Sequence, residues 1–276
     1  GNHVYVAGGN DDAVAVFSRN SSTGSLTYVE VKKDGVGGVD GLDFANSVTV
    51  SPDNDHVYVT GGNDGAVAVF SRNSSTGALT YVEVKKDGVG GVDGLDGARS
   101  VTVSPDNDHV YVTGGNDNAV AVFSRNSSTG ALTYVEVKKD GVGGVDGLDG
   151  ARSVTVSPDG NHVYVAGSDD NAVAVFSRNS STGALTYVEM KKDSFILDNP
   201  RSVTVSPDGN HVYAAAHHDN GIAVFSRNSS TGALTYVEVH LDGIAGVDGL
   251  YGAQSVIVSP DGNHVYVAGR SDDAVA

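Results

Sequence analysis

The sequence predicts an all-β fold, a β-propeller built from four-stranded antiparallel blades. The first observation is a repeat of about 53 residues, because successive copies of His-Val-Tyr-Val, which reads His-Val-Tyr-Ala at His211, start 53, 53, 53, 49 and 53 residues apart. A fixed period in this range is typical of propellers and solenoids. The second is that each period contains four short runs in which apolar and polar residues alternate, as in strands. The third is that Gly, Asn, Asp, Ser and Pro separate these runs, as in turns.

One repeat shows the predicted elements in order. Residues 100–104, 109–113, 119–123 and 131–137 each alternate and are rich in Val, Tyr and Phe, so we expect four strands. Four short antiparallel strands per repeat are typical of one propeller blade. The glycine-rich residues 138–150 follow, and we expect them to cross over to the next blade.

The repeats predict a single propeller over residues 1–276, with five full repeats, a partial sixth and partial blades at both termini. Repeat starts lie near residues 3, 56, 109, 162, 211 and 264. Residues 3–15 and 264–276 match at eleven of thirteen positions. A closed ring of five, a ring of six with incomplete end blades, and a piece of a larger ring all remain open. Exposed strand edges in any of them predict self-association, up to a filament.

Composition excludes several function classes. The chain has 17 Lys and Arg against 34 Asp and Glu, a formal net charge of -17, which argues against nucleic acid and anionic lipid as partners. There are no cysteines for disulfides or metal binding. We find no apolar run long enough for a membrane span. We expect an acidic extracellular or cell-surface protein.

The repeat resembles a known family. The run SPDGNHVYVAG at residues 157–167, with NAVAVFSRNSSTGALTYVE at residues 171–189, is similar to blades of the lactonase-type and YVTN-type β-propellers. The resemblance covers every repeat. It implies the propeller fold, and it implies either hydrolysis of sugar lactones or a surface role without catalysis.

The crossover segments carry regularly spaced carboxylates that predict a candidate Ca²⁺ site. Calcium prefers six to eight oxygen ligands, and backbone carbonyls could complete such a shell. The alternative is a solvated acidic loop whose side chains stabilise turns. The candidate ligands are Asp34, Asp40, Asp43, Asp87, Asp93, Asp96, Asp140, Asp146 and Asp149.

The histidines fall into two classes. The histidine that opens each His-Val-Tyr-Val run recurs in every repeat, so we interpret it as structural. His217 and His218 occur once and replace small residues of the other copies. They are weak catalytic candidates, because imidazoles can act as bases or metal ligands.

Each repeat also contains an Asn-Ser-Ser sequence that fits the acceptor pattern for N-glycosylation. The alternative is ordinary turn chemistry, since Asn and Ser are favoured in turns. The candidate acceptors are Asn20, Asn73, Asn126, Asn179 and Asn228.

Uniform repeats supply few unique side chains, so the sequence predicts a non-catalytic scaffold, adhesion or polymer subunit without efficient lactone hydrolysis. Its partners would be further copies of itself, glycans or other surface proteins. The alternative is a lactonase-type hydrolase of sugar lactones or related cyclic esters. A convergent one-copy group such as His217, His218 and Arg270 would favour the alternative.

Overall fold

The alternating segments of each repeat form β-strands in the computed structural model, which describes residues 1–193 and 195–276. Within those residues the sole helix is a 3-10 turn, Gly9–Asp11. The chain divides into two compact units, unit 1 with residues 1–117 and 121–137 and unit 2 with residues 118–120 and 138–276. Each unit is built around three antiparallel sheets, which we call blades 1–6 in chain order. No helix in the described part of the chain is long and apolar enough to span a membrane.

Unit 1 is built around blades 1–3. Blade 1 contains β1 (His3–Gly8), β2 (Ala13–Arg19) and β3 (Leu26–Lys33). Blade 2 contains β4 (Ala45–Val50), β5 (His56–Gly61), β6 (Ala66–Arg72) and β7 (Leu79–Lys86). Blade 3 contains β8 (Ala98–Val103), β9 (His109–Gly114), β10 (Ala119–Arg125) and β11 (Leu132–Lys139).

Unit 2 is built around blades 4–6. Blade 4 contains β12 (Ala151–Val156), β13 (His162–Gly167), β14 (Ala172–Arg178) and β15 (Leu185–Lys192). Blade 5 contains β16 (Pro200–Val205), β17 (His211–Ala216), β18 (Gly221–Arg227) and β19 (Leu234–Leu241). Blade 6 contains β20 (Ala253–Val258), β21 (Val265–Gly269) and β22 (Ala274–Val275).

The structure has six blades, which corrects the predicted five full repeats and a partial sixth. Blades 2–5 have four strands each, whereas blades 1 and 6 have three. Among the described residues, blade 1 has no counterpart of β4 and blade 6 has none of β7. The predicted count was wrong because His-Val-Tyr-Val begins the second strand of a blade. Each counted period therefore combines three strands of one blade with the first strand of the next.

In each of blades 2–6, the first two strands pair through a β-bulge at the same position. In blade 5, Pro200 pairs with Ala216 and Ser202 pairs with Ala215, which leaves Arg201 as the extra residue. A bulge re-aims the extra side chain away from the regular alternation. The other bulged residues are Asn46, Arg99, Arg152 and Gln254.

Apolar side chains of neighbouring blades form the core. In unit 1, Val14 and Val16 of blade 1 cluster with Val57, Val59 and Phe70 of blade 2. Val67 and Val69 of blade 2 likewise cluster with Val110 and Val112 of blade 3.

The histidine that opens the second strand has a structural role, as predicted. In unit 1, the Arg125 guanidinium contacts His56 Nδ1 at 2.7 Å and donates to the Tyr58 hydroxyl at 2.6 Å. In unit 2, Arg227 contacts His162 Nδ1 at 2.7 Å. These contacts join blade 3 to blade 2 and blade 5 to blade 4.

Candidate active site

The structure places the crossover carboxylates in clusters, but with a different third member from the predicted one. Asp34 and Asp40 meet Asp64, which lies in the turn between β5 and β6. Asp43 instead accepts a hydrogen bond from the Asn63 side chain at 3.0 Å. Equivalent clusters contain Asp87, Asp93 and Asp117; Asp140, Asp146 and Asp170; and Asp242, Asp248 and Asp272. Asp96 and Asp149, like Asp43, lie outside these clusters.

A lysine ammonium contacts the first of these clusters. Lys86 Nζ lies 2.8 Å from Asp40 and 2.9 Å from Asp64, and these hydrogen bonds raise the pKa of Lys86. The equivalent Lys192 lies 3.6 Å from Asp170. In blade 5 this position is Leu241, and the crossover before that blade keeps Asp193 and Asp198 but has no counterpart of Asp40. Lysine contacts the clusters of blades 2 and 4, and the calcium site stays a prediction.

The five candidate glycan acceptors are exposed and share one local geometry. Asn126 Oδ1 accepts hydrogen bonds from the backbone N–H groups of Ser128 and Thr129, both at 3.0 Å. This side-chain-to-backbone turn is the ordinary use of Asn in such a loop. Glycosylation stays a prediction.

His217 and His218 form the turn between β17 and β18, and their surroundings differ. His218 is exposed, and its Nδ1 lies 3.4 Å from Asp198. His217 is half-buried, and its backbone N–H donates to the Asn199 carbonyl at 3.1 Å. The two rings are 5.4 Å apart between centroids. His217 is therefore the better candidate for chemistry.

Strand register brings Arg201 beside His217. Because Pro200 pairs with Ala216, the first residues of β16 lie against the last residues of β17. The Arg201 side chain donates from Nε to Asn199 Oδ1 at 3.0 Å and from Nη1 to Gln254 Oε1 at 2.9 Å. Arg201 was missed in the sequence because Arg99 and Arg152 make it look like an ordinary repeat residue. The sequence feature that could have revealed Arg201 is that its hydrogen-bond partners, Asn199 and Gln254, each occur in one repeat only.

Blade 6 contributes the remaining side of the site. Ala253 pairs with Gly269, so Gly252 and Arg270 are adjacent, and the Arg270 N–H donates to the Gly252 carbonyl at 3.2 Å. A Cβ added to Gly252 would lie 3.2 Å from His217 Cε1 and 2.6 Å from Ser271 Oγ. Gly252 also has a φ of 68°. A side chain at this position would therefore be strained and would crowd the imidazole.

The electrostatic surroundings keep His217 neutral. Burial lowers the pKa of His217, the positive charges of Arg201, His218 and Arg270 lower it further, and a backbone hydrogen bond at Gly252 opposes the shift. His217 Nδ1 is buried and has no hydrogen-bond partner among the described residues. A neutral imidazole with an unused ring nitrogen, beside two guanidinium groups, can accept a proton while the guanidiniums stabilise negative charge.

Comparison with known proteins identifies relatives along most of the chain. The family model described as "Lactonase, 7-bladed beta-propeller" matches residues 1–93 and 89–247. A 6-phosphogluconolactonase from Klebsiella pneumoniae (strain 342) is 26% identical over 179 residues, which cover 63% of this chain and 52% of that protein. This chain thus spans about half the length of that curated relative.

Solved structures share the fold. The periplasmic gluconolactonase PpgL from Pseudomonas aeruginosa superposes with a TM-score of 0.70 at 23% identity, covering 87% of this chain and 67% of that chain. Hydrazine synthase from Kuenenia stuttgartiensis superposes with a TM-score of 0.69 at 18% identity, covering 100% of this chain and 80% of that chain. At these identities the likeness concerns the fold alone, which serves more than one kind of protein.

These relatives contradict the predicted non-catalytic scaffold, adhesion or polymer subunit. That prediction was wrong because it treated repetition as evidence against a unique site, whereas His217, Asn199 and Gln254 break the repeat at one place. The family model covers well over half of the sequence. The chain therefore belongs to the lactonase family of seven-bladed β-propellers.

Proposed function

We propose that this protein hydrolyses lactones of sugar acids at a site formed by His217, Arg201, Gln254 and Arg270. The observation that carries the proposal is the buried, unpartnered Nδ1 of His217 in a positive electrostatic environment. A ring nitrogen that carries no proton accepts hydrogen bonds, and it is suited to remove a proton from water.

The chemistry follows from these groups. His217 Nδ1 is shielded from solvent in this structure, so hydrolysis requires that a water molecule enters with the lactone. Nδ1 takes a proton from that water as the water oxygen bonds to the lactone carbonyl carbon. The carbonyl oxygen becomes an oxyanion, which Arg201 or Arg270 stabilises by hydrogen bonding and charge. The tetrahedral intermediate then collapses and breaks the ring C–O bond. The imidazolium returns its proton to the departing ring oxygen, which leaves a hydroxy acid and a neutral imidazole.

Gln254 supports this arrangement by holding one end of Arg201. Its Oε1 accepts from Arg201 Nη1 at 2.9 Å, so the planar guanidinium has a fixed orientation. An oriented donor stabilises a developing charge without the cost of rearranging in the transition state. The family membership and the names of the relatives supply the substrate class, since those proteins are a 6-phosphogluconolactonase and a gluconolactonase.

The test is hydrolysis of glucono-1,5-lactone and its 6-phosphate, measured as the initial rate above spontaneous ring opening. We expect His217→Ala to lower kcat by about 100- to 10,000-fold, the usual contribution of a general base. The matched control is His240→Ala, because His240 is also a one-copy histidine but lies on β19 beside Glu238 at 3.2 Å. Equal rates for the wild type and His217→Ala on both lactones would contradict the proposal.

A further inference from the structure

The residue just before the first strand of each of blades 2–6 has a left-handed backbone conformation. Its φ is 55° at Phe44, 64° at Gly97, 63° at Gly150, 56° at Asn199 and 68° at Gly252. In each blade its carbonyl accepts a hydrogen bond from the turn after the second strand, as the Asn199 carbonyl does from the His217 N–H. Three of these five residues are glycine, the residue that adopts this conformation most readily.

Asn199 differs from the glycines because its side chain acts on the arginine two residues later. Asn199 Oδ1 accepts from Arg201 Nε at 3.0 Å, and Asn199 Nδ2 donates to the Ser168 carbonyl at 3.4 Å. The Asn199 N–H itself donates to Asn171 Oδ1 at 2.9 Å. The asparagine side chain is therefore held at both ends, and Asn is one of the few other residue types that tolerate a positive φ.

Blade 3 provides an internal comparison. Arg99 occupies the bulged position that Arg201 occupies in blade 5, and Gly97 stands where Asn199 stands. Arg99 Nε is buried and has no hydrogen-bond partner among the described residues. Where asparagine replaces glycine, the Nε of the arginine two residues later is thus hydrogen-bonded.

We propose that Asn199 is a positioning residue that orients the Arg201 guanidinium beside His217. This inference rests on the proposed function for its catalytic consequence. The Asn199 side chain bonds to Arg201 and to the Ser168 carbonyl, so its effect on the reaction would pass through Arg201. Asn199 accepts a hydrogen bond from Arg201 through its side chain and another from the His217 N–H through its backbone carbonyl. The imidazole base and the guanidinium therefore keep a fixed separation.

The test uses Asn199→Gly, with Asn54→Gly as the matched control. Glycine occupies the position of Asn199 in three other blades, so the backbone should tolerate the change. Asn54 also has a positive φ, 66°, and the equivalent residue is glycine in blades 4, 5 and 6, but Asn54 lies in an exposed turn far along the chain from residues 199–217. Circular dichroism should show that both variants fold.

Two readouts separate positioning from a merely structural role. The pKa of the His217 imidazole, followed by NMR titration, should rise in Asn199→Gly toward the ordinary value, because the Arg201 charge that lowers it is no longer held in place. His218 and Arg270, the other charged groups acting on His217, are unchanged. The kcat for lactone hydrolysis should fall roughly ten- to hundredfold, as expected when a catalytic group is misplaced, and Asn54→Gly should match the wild type.

A double-mutant cycle completes the test. If Asn199 acts through Arg201, the variant with both Asn199→Gly and Arg201→Met should show the same His217 pKa and the same kcat as Arg201→Met alone. A folded Asn199→Gly variant with an unchanged His217 titration would overturn the inference. If the wild type hydrolyses neither lactone, the proposed function fails, and the titration still decides whether Asn199 positions Arg201.

Discussion

Nη2 of Arg125 lies 2.7 Å from Nδ1 of His56, so a cation faces a ring nitrogen that must be an acceptor. A guanidinium has no acceptor atom and stays protonated at any pH the folded protein experiences. The His56 imidazole is therefore neutral in this contact. Arg227 and His162 repeat the relationship at the same distance in unit 2.

The first prediction is that acid weakens the fold through these histidines. Burial lowers the pKa of His56 and Arg125 lowers it further, against the opposing charges of Asp53 and Asp55. Burial and Arg227 likewise lower the pKa of His162. In the unfolded chain these histidines have the ordinary pKa of 6.5. As the pH falls from 6.5 toward the lower pKa of the native state, the unfolded chain therefore binds more protons than the native state does.

The free energy of unfolding should therefore decrease as pH falls below about 6.5, and urea titrations across the range from neutral to mildly acidic pH measure it. His56→Asn should make the slope of stability against pH shallower. A slope that is unchanged in this variant would show that His56 does not carry the acid sensitivity.

The second prediction concerns the buried arginine itself. The Arg125 side chain is 0% exposed and pairs with Asp53 at 2.8 Å. Arg125→Met should lower the free energy of unfolding by about 3 kcal/mol, because it removes the cation that pairs with Asp53 and the guanidinium donor to the Tyr58 hydroxyl. Denaturant titration measures the loss.

Arg19→Met is the matched control for that variant. Arg19 is the equivalent residue of blade 1, but it is exposed, and its guanidinium donates to the Gly1 carbonyl at 3.2 Å. We expect it to change stability by less than about 0.5 kcal/mol, as is usual for an exposed substitution. Equal losses in the two variants would mean that the buried contacts of Arg125 contribute nothing.

The third prediction concerns the acidic cluster of Asp34, Asp40 and Asp64. Lys86→Met should lower stability by about 1 kcal/mol, since it leaves partly shielded carboxylates without their ammonium. Lys85→Met should cost less, because Lys85 pairs with Glu83 at 2.9 Å, outside the cluster. If the cluster binds calcium, millimolar Ca²⁺ should restore the thermal midpoint of Lys86→Met, and scanning calorimetry with and without the ion measures this.

The blade and its core could be predicted from the sequence because their signals are local. Alternation at residues such as Val110 and Val112 identifies strands, and the repeat identifies the blade. Blade boundaries were harder, since a period can be counted from any strand. The prediction took Asp43 as a cluster member because sequence spacing cannot show that Asp64 returns to the same place through a later turn.

The candidate site was predicted in part. His217 stood out because it breaks the repeat, and the structure places it in the site. Arg201 could not be found in this way, since it repeats Arg99 and Arg152 and its orientation depends on a bulge. Bulges arise from the pairing of two strands, which a single strand's sequence does not reveal.

The pH dependence of kcat/KM for lactone hydrolysis tests the role of His217 most directly. His217 must be neutral to accept a proton, and its pKa is lowered by burial and by Arg201, His218 and Arg270. We therefore predict that kcat/KM is constant at neutral pH and falls with acid along a limb whose midpoint is below 6.5, and that the residual activity of His217→Ala lacks this limb. A rate that shows no acid limb, or one whose limb persists in His217→Ala, would contradict the assignment of His217 as the base.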